Sequence, residues 1–226
     1  MVTGRGGRSR AAAAVSVDSG FTLVELLLAL VVSMAVVGGA TMLAGRMQGA
    51  YRAQLDAATA QQEGRYVIQE VERYIRAAGN NPYRVETTPC PVGGTPVLAI
   101  RLDPDGDGAN DDIRLQTDAG PTNGLIGGAA GACNEPGEDV TIAHDPTTNV
   151  VTVTDNNLGG GARPLTDTAV TGLQFIYRNP SHAVTATPAN IAFVETRVTV
   201  QSRSTDLNLA TPLTYTVSSE VRVRSR

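Results

Sequence analysis

Residues 21–45, FTLVELLLALVVSMAVVGGATMLAG, contain one charged side chain, Glu25, in 25 positions. A bilayer core of about 30 Å takes roughly 20 apolar helical residues, so this run is long enough to span a membrane. Upstream, residues 1–19 (MVTGRGGRSRAAAAVSVDS) are small, polar and Arg-bearing, with no periodic apolar face. They read as a processed or disordered leader. Arg5, Arg8 and Arg10 precede the apolar run, and the positive-inside tendency places the N-terminus in the cytoplasm. Everything after Arg46 then lies outside it.

The helix is expected to continue past the apolar run. Residues 46–82 hold good helix formers and no proline before Pro82. Tyr51, Leu55 and Ala58 recur at three- and four-residue steps, as do Val67, Val71, Tyr74 and Ala78 beside Ile68 and Ile75. That spacing predicts one apolar stripe, with the charged residues mostly off it. Gly79 followed by Asn80-Asn81-Pro82 is a stop signal. Gly38-Gly39, Gly45, Gly49 and Gly64 are points where the helix is expected to bend or unwind.

Beyond Pro82 the period becomes alternating. Strands are predicted over 97–102, 113–116, 139–143, 150–154, 172–178, 192–202 and 213–224. In the last, Leu213, Tyr215, Val217, Val221 and Val223 share one face and Thr214, Thr216, Ser218, Glu220, Arg222 and Arg224 the other. Loops rich in Gly, Pro, Asn and Asp fill 117–137 and 155–166. A sheet packed on the amphipathic half of the helix buries both apolar faces, so the expected fold class is α+β with a mainly antiparallel sheet. The expected organisation is a leader over 1–20, a transmembrane helix over 21–45, its amphipathic continuation over 46–79, and a β-rich domain over 80–226 outside the cytoplasm.

All 18 basic residues are Arg, and the net charge is −4. Losing residues 1–20 takes the basic side chains from 18 to 15 and the acidic ones from 22 to 21, so the remaining chain carries −6. An acidic chain with no Arg cluster offers no electrostatic footprint for duplex DNA.

The order of basic leader, Gly20-Phe21-Thr22-Leu23-Val24-Glu25 and spanning helix resembles type IV pilins and the pseudopilins of type II secretion. The resemblance implies cleavage between Gly20 and Phe21 by a membrane-embedded prepilin peptidase, followed by N-methylation of Phe21. It also implies an assembly role for Glu25, paired with the Phe21 amine of a neighbouring subunit. A lone carboxylate in apolar surroundings costs several kcal/mol, which such a partner offsets. The stretch QQEGRYVIQEVERYIRAAG (61–79), the strand Leu173-Gln174-Phe175-Ile176-Tyr177 and the closing Val-Arg-Val-Arg (221–224) are similar to PilW-like minor pilins and to the J-type pseudopilin. A non-enzymatic structural subunit is implied, at the filament tip or in the complex that primes assembly. Its implied partners are other pilin and minor pilin subunits, the prepilin peptidase and the inner-membrane assembly platform. The implied location is the inner membrane, then the cell-surface pilus. A pseudopilin of a secretion piston, or a tip adhesin or DNA-uptake module using loops 117–137 and 155–166, are the alternatives.

Residues 103–112, DPDGDGANDD, start like a calcium-binding EF-hand loop. Asp103, Asp105, Asp107, Asn110, Asp111 and Asp112 are the candidate Ca²⁺ ligands. Arg114 stands where the closing bidentate Glu belongs, so an acidic hairpin turn between Leu102 and Ile113 is the competing reading. Cys90 and Cys133 lack zinc-site spacing. Outside the cytoplasm they suit a disulfide worth about 2–4 kcal/mol; otherwise they are two separately buried thiols. His144 and His182 lie in loop-like contexts without a GxSxG elbow, and Gly159-Gly160-Gly161 has no phosphate-loop Lys. Tyr66 and Tyr74 are expected in the core.

Overall fold

The computed structural model describes residues 20–90, 95–120, 122–129, 132–167, 169–203 and 212–224, so the leader expected over 1–19 lies outside the described residues. Two compact units divide the chain, 1–47 and 48–226. One helix, α1 (Leu23–Ala77), begins in the first and ends in the second. Thr22 caps its start: the Glu25 N–H donates to Thr22 Oγ1 at 3.3 Å, and the Leu26 N–H to the Thr22 carbonyl at 3.1 Å. Every residue from Gly20 to Met47 is exposed. The helix is long and apolar enough to cross a membrane in this part.

In the second unit the buried face of α1 runs Ala53, Ala57, Ala60, Gly64, Val67, Ile68, Val71 and Ile75, at steps of three and four with Ile68 beside Val67. The lower part of the expected stripe is therefore corrected. Tyr51 (63 % exposed), Leu55 and Ala58 lie on the outer face, as does Tyr66. The reason is volume. Ala and Gly let the helix approach closely, and the Cβ of any residue at Gly64 would stand 3.2 Å from Val200 Cγ1 and 3.6 Å from Val217 Cγ2. Gly64, expected as a bend, is instead a packing position within an unbroken helix. A Gly64→Leu substitution should cost about 1–3 kcal/mol through overpacking. Denaturant unfolding of the detergent-solubilised protein measures it, and an unchanged midpoint would show that the helix can lift off without cost.

Two sheets complete the unit. The larger orders β3 (Ile100–Leu102), β4 (Asp112–Gln116), β5 (Asp139–Asp145), β6 (Val150–Asp155) and β7 (Ala162–Pro164) in sequence. The smaller places β9 (Phe193–Gln201) between β10 (Thr214–Arg222) and β8 (Val170–Arg178). A two-stranded ribbon joins β1 (Thr87–Thr88) to β2 (Thr95–Pro96). Every pairing is antiparallel. This is the α+β arrangement the alternating segments predict. Strand β10 keeps its period of two: Tyr215, Val217 and Val221 face inward, and Thr214, Thr216, Ser218, Glu220 and Arg222 are exposed. Strands β1, β2 and β7 were not predicted, being two or three residues long, and β7 falls inside the expected 155–166 loop.

One core joins these layers. It contains Val67, Val71 and Ile75 of α1, Ile113, Leu115, Ile142 and Val151 of the larger sheet, and Phe175, Val194, Val198 and Val200 of the smaller. The helix ends at Gly79 in a left-handed conformation (φ 76°), which lets its N–H reach the Gln116 carbonyl at 2.9 Å. A Cβ there would lie 3.0 Å from both Ala99 Cβ and the Arg224 carbonyl, so only glycine fits.

Candidate functional site

Three places carry chemistry. The first is the start of α1. Gly20 and Phe21 are exposed and precede the helix, so the expected scissile bond lies in accessible, non-helical backbone. Glu25 occupies the first helical turn, where a carboxylate faces the positive end of the helix dipole. Sequence reading missed that Thr22 and Glu25 together have the Thr-x-x-Glu spacing of a capping box. The signal lies in the sequence, at the first four residues of the apolar run's helical start. Capping places the helix start directly behind Phe21.

The second place is the turn between β3 and β4. Oxygens of Asp103, Asp105 and Asp112 lie within 4.8 Å of one another. Asp103 holds the turn in shape: its Oδ1 accepts the N–H groups of Gly106 (2.9 Å) and Asp107 (3.1 Å), and its Oδ2 that of Gly108 (3.1 Å). Asp107 Oδ1 instead accepts the Ala109 N–H at 2.7 Å, and neither Asp107 nor Asp111 belongs to the cluster. The Asn110 and Asp111 carbonyls accept the N–H groups of Phe175 (2.7 Å) and His144 (3.2 Å), which dock the end of the turn on β8 and β5.

The third is the segment 117–137. Cys90 and Cys133 form a disulfide with Cα atoms 5.6 Å apart. Around it, buried carboxylates hold loop backbone. Glu138 Oε1 accepts the N–H groups of Ala119 (2.8 Å) and Gly120 (2.9 Å), and its Oε2 that of Gly127 (2.8 Å). Asp118 does the same for Asn123 (3.1 Å) and Gly124 (2.8 Å). Burial pushes the Glu138 carboxyl up, against the downward pull of its three N–H donors. Asp139 accepts two bonds of 2.6 Å from Arg114, and one of 2.8 Å each from the Gln116 and Asn156 amides. Burial would raise the Asp139 carboxyl, but the bonds from Arg114, Gln116 and Asn156 and the Arg114 charge outweigh it and hold it below its ordinary value. Sequence reading passed over Asp118, Glu138 and Asp139, because nothing local marks a carboxylate that will be buried.

Two candidate histidines remain. His144 is buried with Nε2 2.9 Å from the Val170 carbonyl. His182 stacks on Phe193, ring centroids 4.3 Å apart, and its Nδ1 lies 3.5 Å from Glu220.

Comparison with known proteins adds one finding. Residues 16–41 match the prokaryotic N-terminal methylation motif. No curated protein and no solved structure matches the chain. The matched segment contains Gly20, Phe21 and Glu25 and ends inside the exposed part of α1. It supports a type IV pilin-like or pseudopilin substrate of prepilin peptidase, a structural subunit anchored in a membrane through its apolar helix.

Proposed function

We propose that this chain is a minor pilin-like structural subunit of a type IV pilus, incorporated at the filament tip or in the complex that primes assembly. The observation that carries the reading is the methylation motif running into an apolar helix whose first 25 residues, Leu23–Met47, bury nothing within the chain. Such a surface needs either lipid or other helices, and a filament subunit uses each in turn. Cleavage after Gly20 leaves a cationic amine on Phe21, directly ahead of a capped helix end. A helix N-terminus repels that charge, and the Glu25 carboxylate of an adjacent subunit compensates for it. The second unit lies on the periplasmic side. The arginines before Gly20 favour that orientation, and the Cys90–Cys133 disulfide suits an oxidising compartment.

The decisive experiment deletes the gene and examines the cells by electron microscopy alongside a protein-secretion assay. Loss of surface filaments with secretion intact supports the pilus reading. Loss of secretion with filaments intact would move the chain to a type II secretion filament as a J-type pseudopilin. Processing is checked separately: mass spectrometry of the membrane-extracted protein should find a chain beginning at N-methylated Phe21. A Gly20→Val substitution should leave the full-length precursor as the dominant species, because a branched side chain crowds the scissile bond.

A further inference from the structure

We propose that Asp103, Asp105 and Asp112 bind one Ca²⁺ ion in the turn between β3 and β4, with Asp112 as the ligand that closes the site. Three carboxylates whose oxygens converge within 4.8 Å repel one another, and a cation among them relieves that repulsion. Among the described residues, no arginine or histidine forms an ion pair with any of the three. Arg114, two residues past Asp112, is committed to Asp139.

Asp112 supplies the independent observation. Its residue is 2 % exposed, and its Oδ1 is buried with no hydrogen-bond partner, while Oδ2 accepts the Asp105 N–H at 3.1 Å. A buried carboxylate oxygen left unpartnered is costly, and a metal ion is one of the few things that satisfies it. A second buried polar atom, within reach of the Asp112 and Asp103 charges, is also unsatisfied. Tyr177 of β8 is 3 % exposed, its hydroxyl has no partner, and burial with the charges of Asp112 and Asp103 raises it. A hydrated cation satisfies both: carboxylate oxygens ligate it directly, and a metal-bound water donates to the phenol oxygen.

Calcium fits better than magnesium. The donors are oxygens on a glycine-containing turn, with Gly106 and Gly108 at φ 79° and 85°, and Ca²⁺ accepts roughly six to eight oxygens in flexible geometry. The remaining positions fall to water and backbone. Occupancy would tie the turn, anchored on β4, to β8 of the other sheet, so the ion would act as a clamp between the two sheets.

The test uses the full chain in detergent, stripped with EGTA, with thermal unfolding and isothermal titration against CaCl₂ or MgCl₂. Wild type should bind one Ca²⁺ with Kd of about 1 mM or tighter. Its Tm should rise by about 3 °C or more at saturation. Asp105→Asn changes an exposed side chain and leaves the fold intact, yet should raise Kd by about tenfold or more. Asp112→Asn removes a buried charge, so it should match or exceed wild-type Tm in EGTA while losing the calcium response. Asp107→Asn should respond as wild type does. No heat and no Tm change in about 10 mM Ca²⁺ would overturn the proposal. So would an undiminished response in Asp105→Asn, or an equal response to Mg²⁺, which would reduce the effect to screening of clustered charge.

Discussion

Replacing Glu25 with Val is expected to leave a protein that inserts and is cut after Gly20, while its share in sheared filaments falls by about tenfold or more. A factor of ten corresponds to about 1.4 kcal/mol, modest for a charge pair in apolar surroundings. Insertion should survive because it depends on the apolar run, which the substitution lengthens. Cleavage should survive because Gly20 and Phe21 are untouched. What is lost is the carboxylate beside the amine that processing creates. A Glu25→Gln protein separates charge from shape: it keeps hydrogen-bonding capacity and should fail nearly as badly. Quantitative immunoblots of sheared filaments against membranes give the readout, with N-terminal sequencing to confirm processing. Normal incorporation of either variant would remove Glu25 from assembly.

The largest effect on stability is expected at Asp139. Its carboxylate takes both Arg114 bonds at 2.6 Å and one from each of the Gln116 and Asn156 amides, and its side chain is almost wholly buried. Asp139→Ala leaves a half-buried guanidinium and two amides without their acceptor. Breaking a buried pair from one side costs about 3–5 kcal/mol, enough to threaten folding of a domain of ordinary stability. The same network gives a pH dependence. The Asp139 carboxyl is held below its unfolded value of about 3.9, so its contribution is complete above that value and is lost as pH falls through the lower folded one. Asp139→Asn should therefore be less stable than wild type near neutral pH, and the gap should narrow below about pH 4. Denaturant melts at several pH values check this, and a gap independent of pH would assign the loss to packing rather than charge.

The β-rich unit was legible wherever one residue reports its own surroundings. In β10 the inward row Tyr215, Val217, Val221 stands out because a half-buried strand alternates whatever it packs against. The upper helix face, Val67, Val71 and Ile75, is legible for the matching reason at a helical period. The reading failed between residues 51 and 66. There the large apolar side chains, Tyr51, Leu55 and Tyr66, face outward, and the residues that face in, Ala53, Ala57, Ala60 and Gly64, are small. Hydrophobic periodicity ranks residues by apolar size, whereas closeness of approach to Val200 and Val217 selects against size. The outer row continues the exposed apolar character of the first half of the helix.

The calcium candidates show the same division. Six residues of 103–112 were plausible ligands by spacing, and the fold converges three of their carboxylates. Asp112 is buried where its neighbour Asp111 is only half-buried, a difference no local pattern contains.

By itself the sequence determined the methylation motif and the long apolar helix, since both are local and need no tertiary partner to be recognised. It also determined the fold class, because the change of period after Pro82 is a local property. Only the tertiary structure decided which helix face is buried, which carboxylates become clamps for loop backbone, and which aspartates meet. Those outcomes depend on contacts between residues far apart in the chain, such as Gly64 with Val200 or Arg114 with Asp139, and their energies exist only once both partners have been brought together.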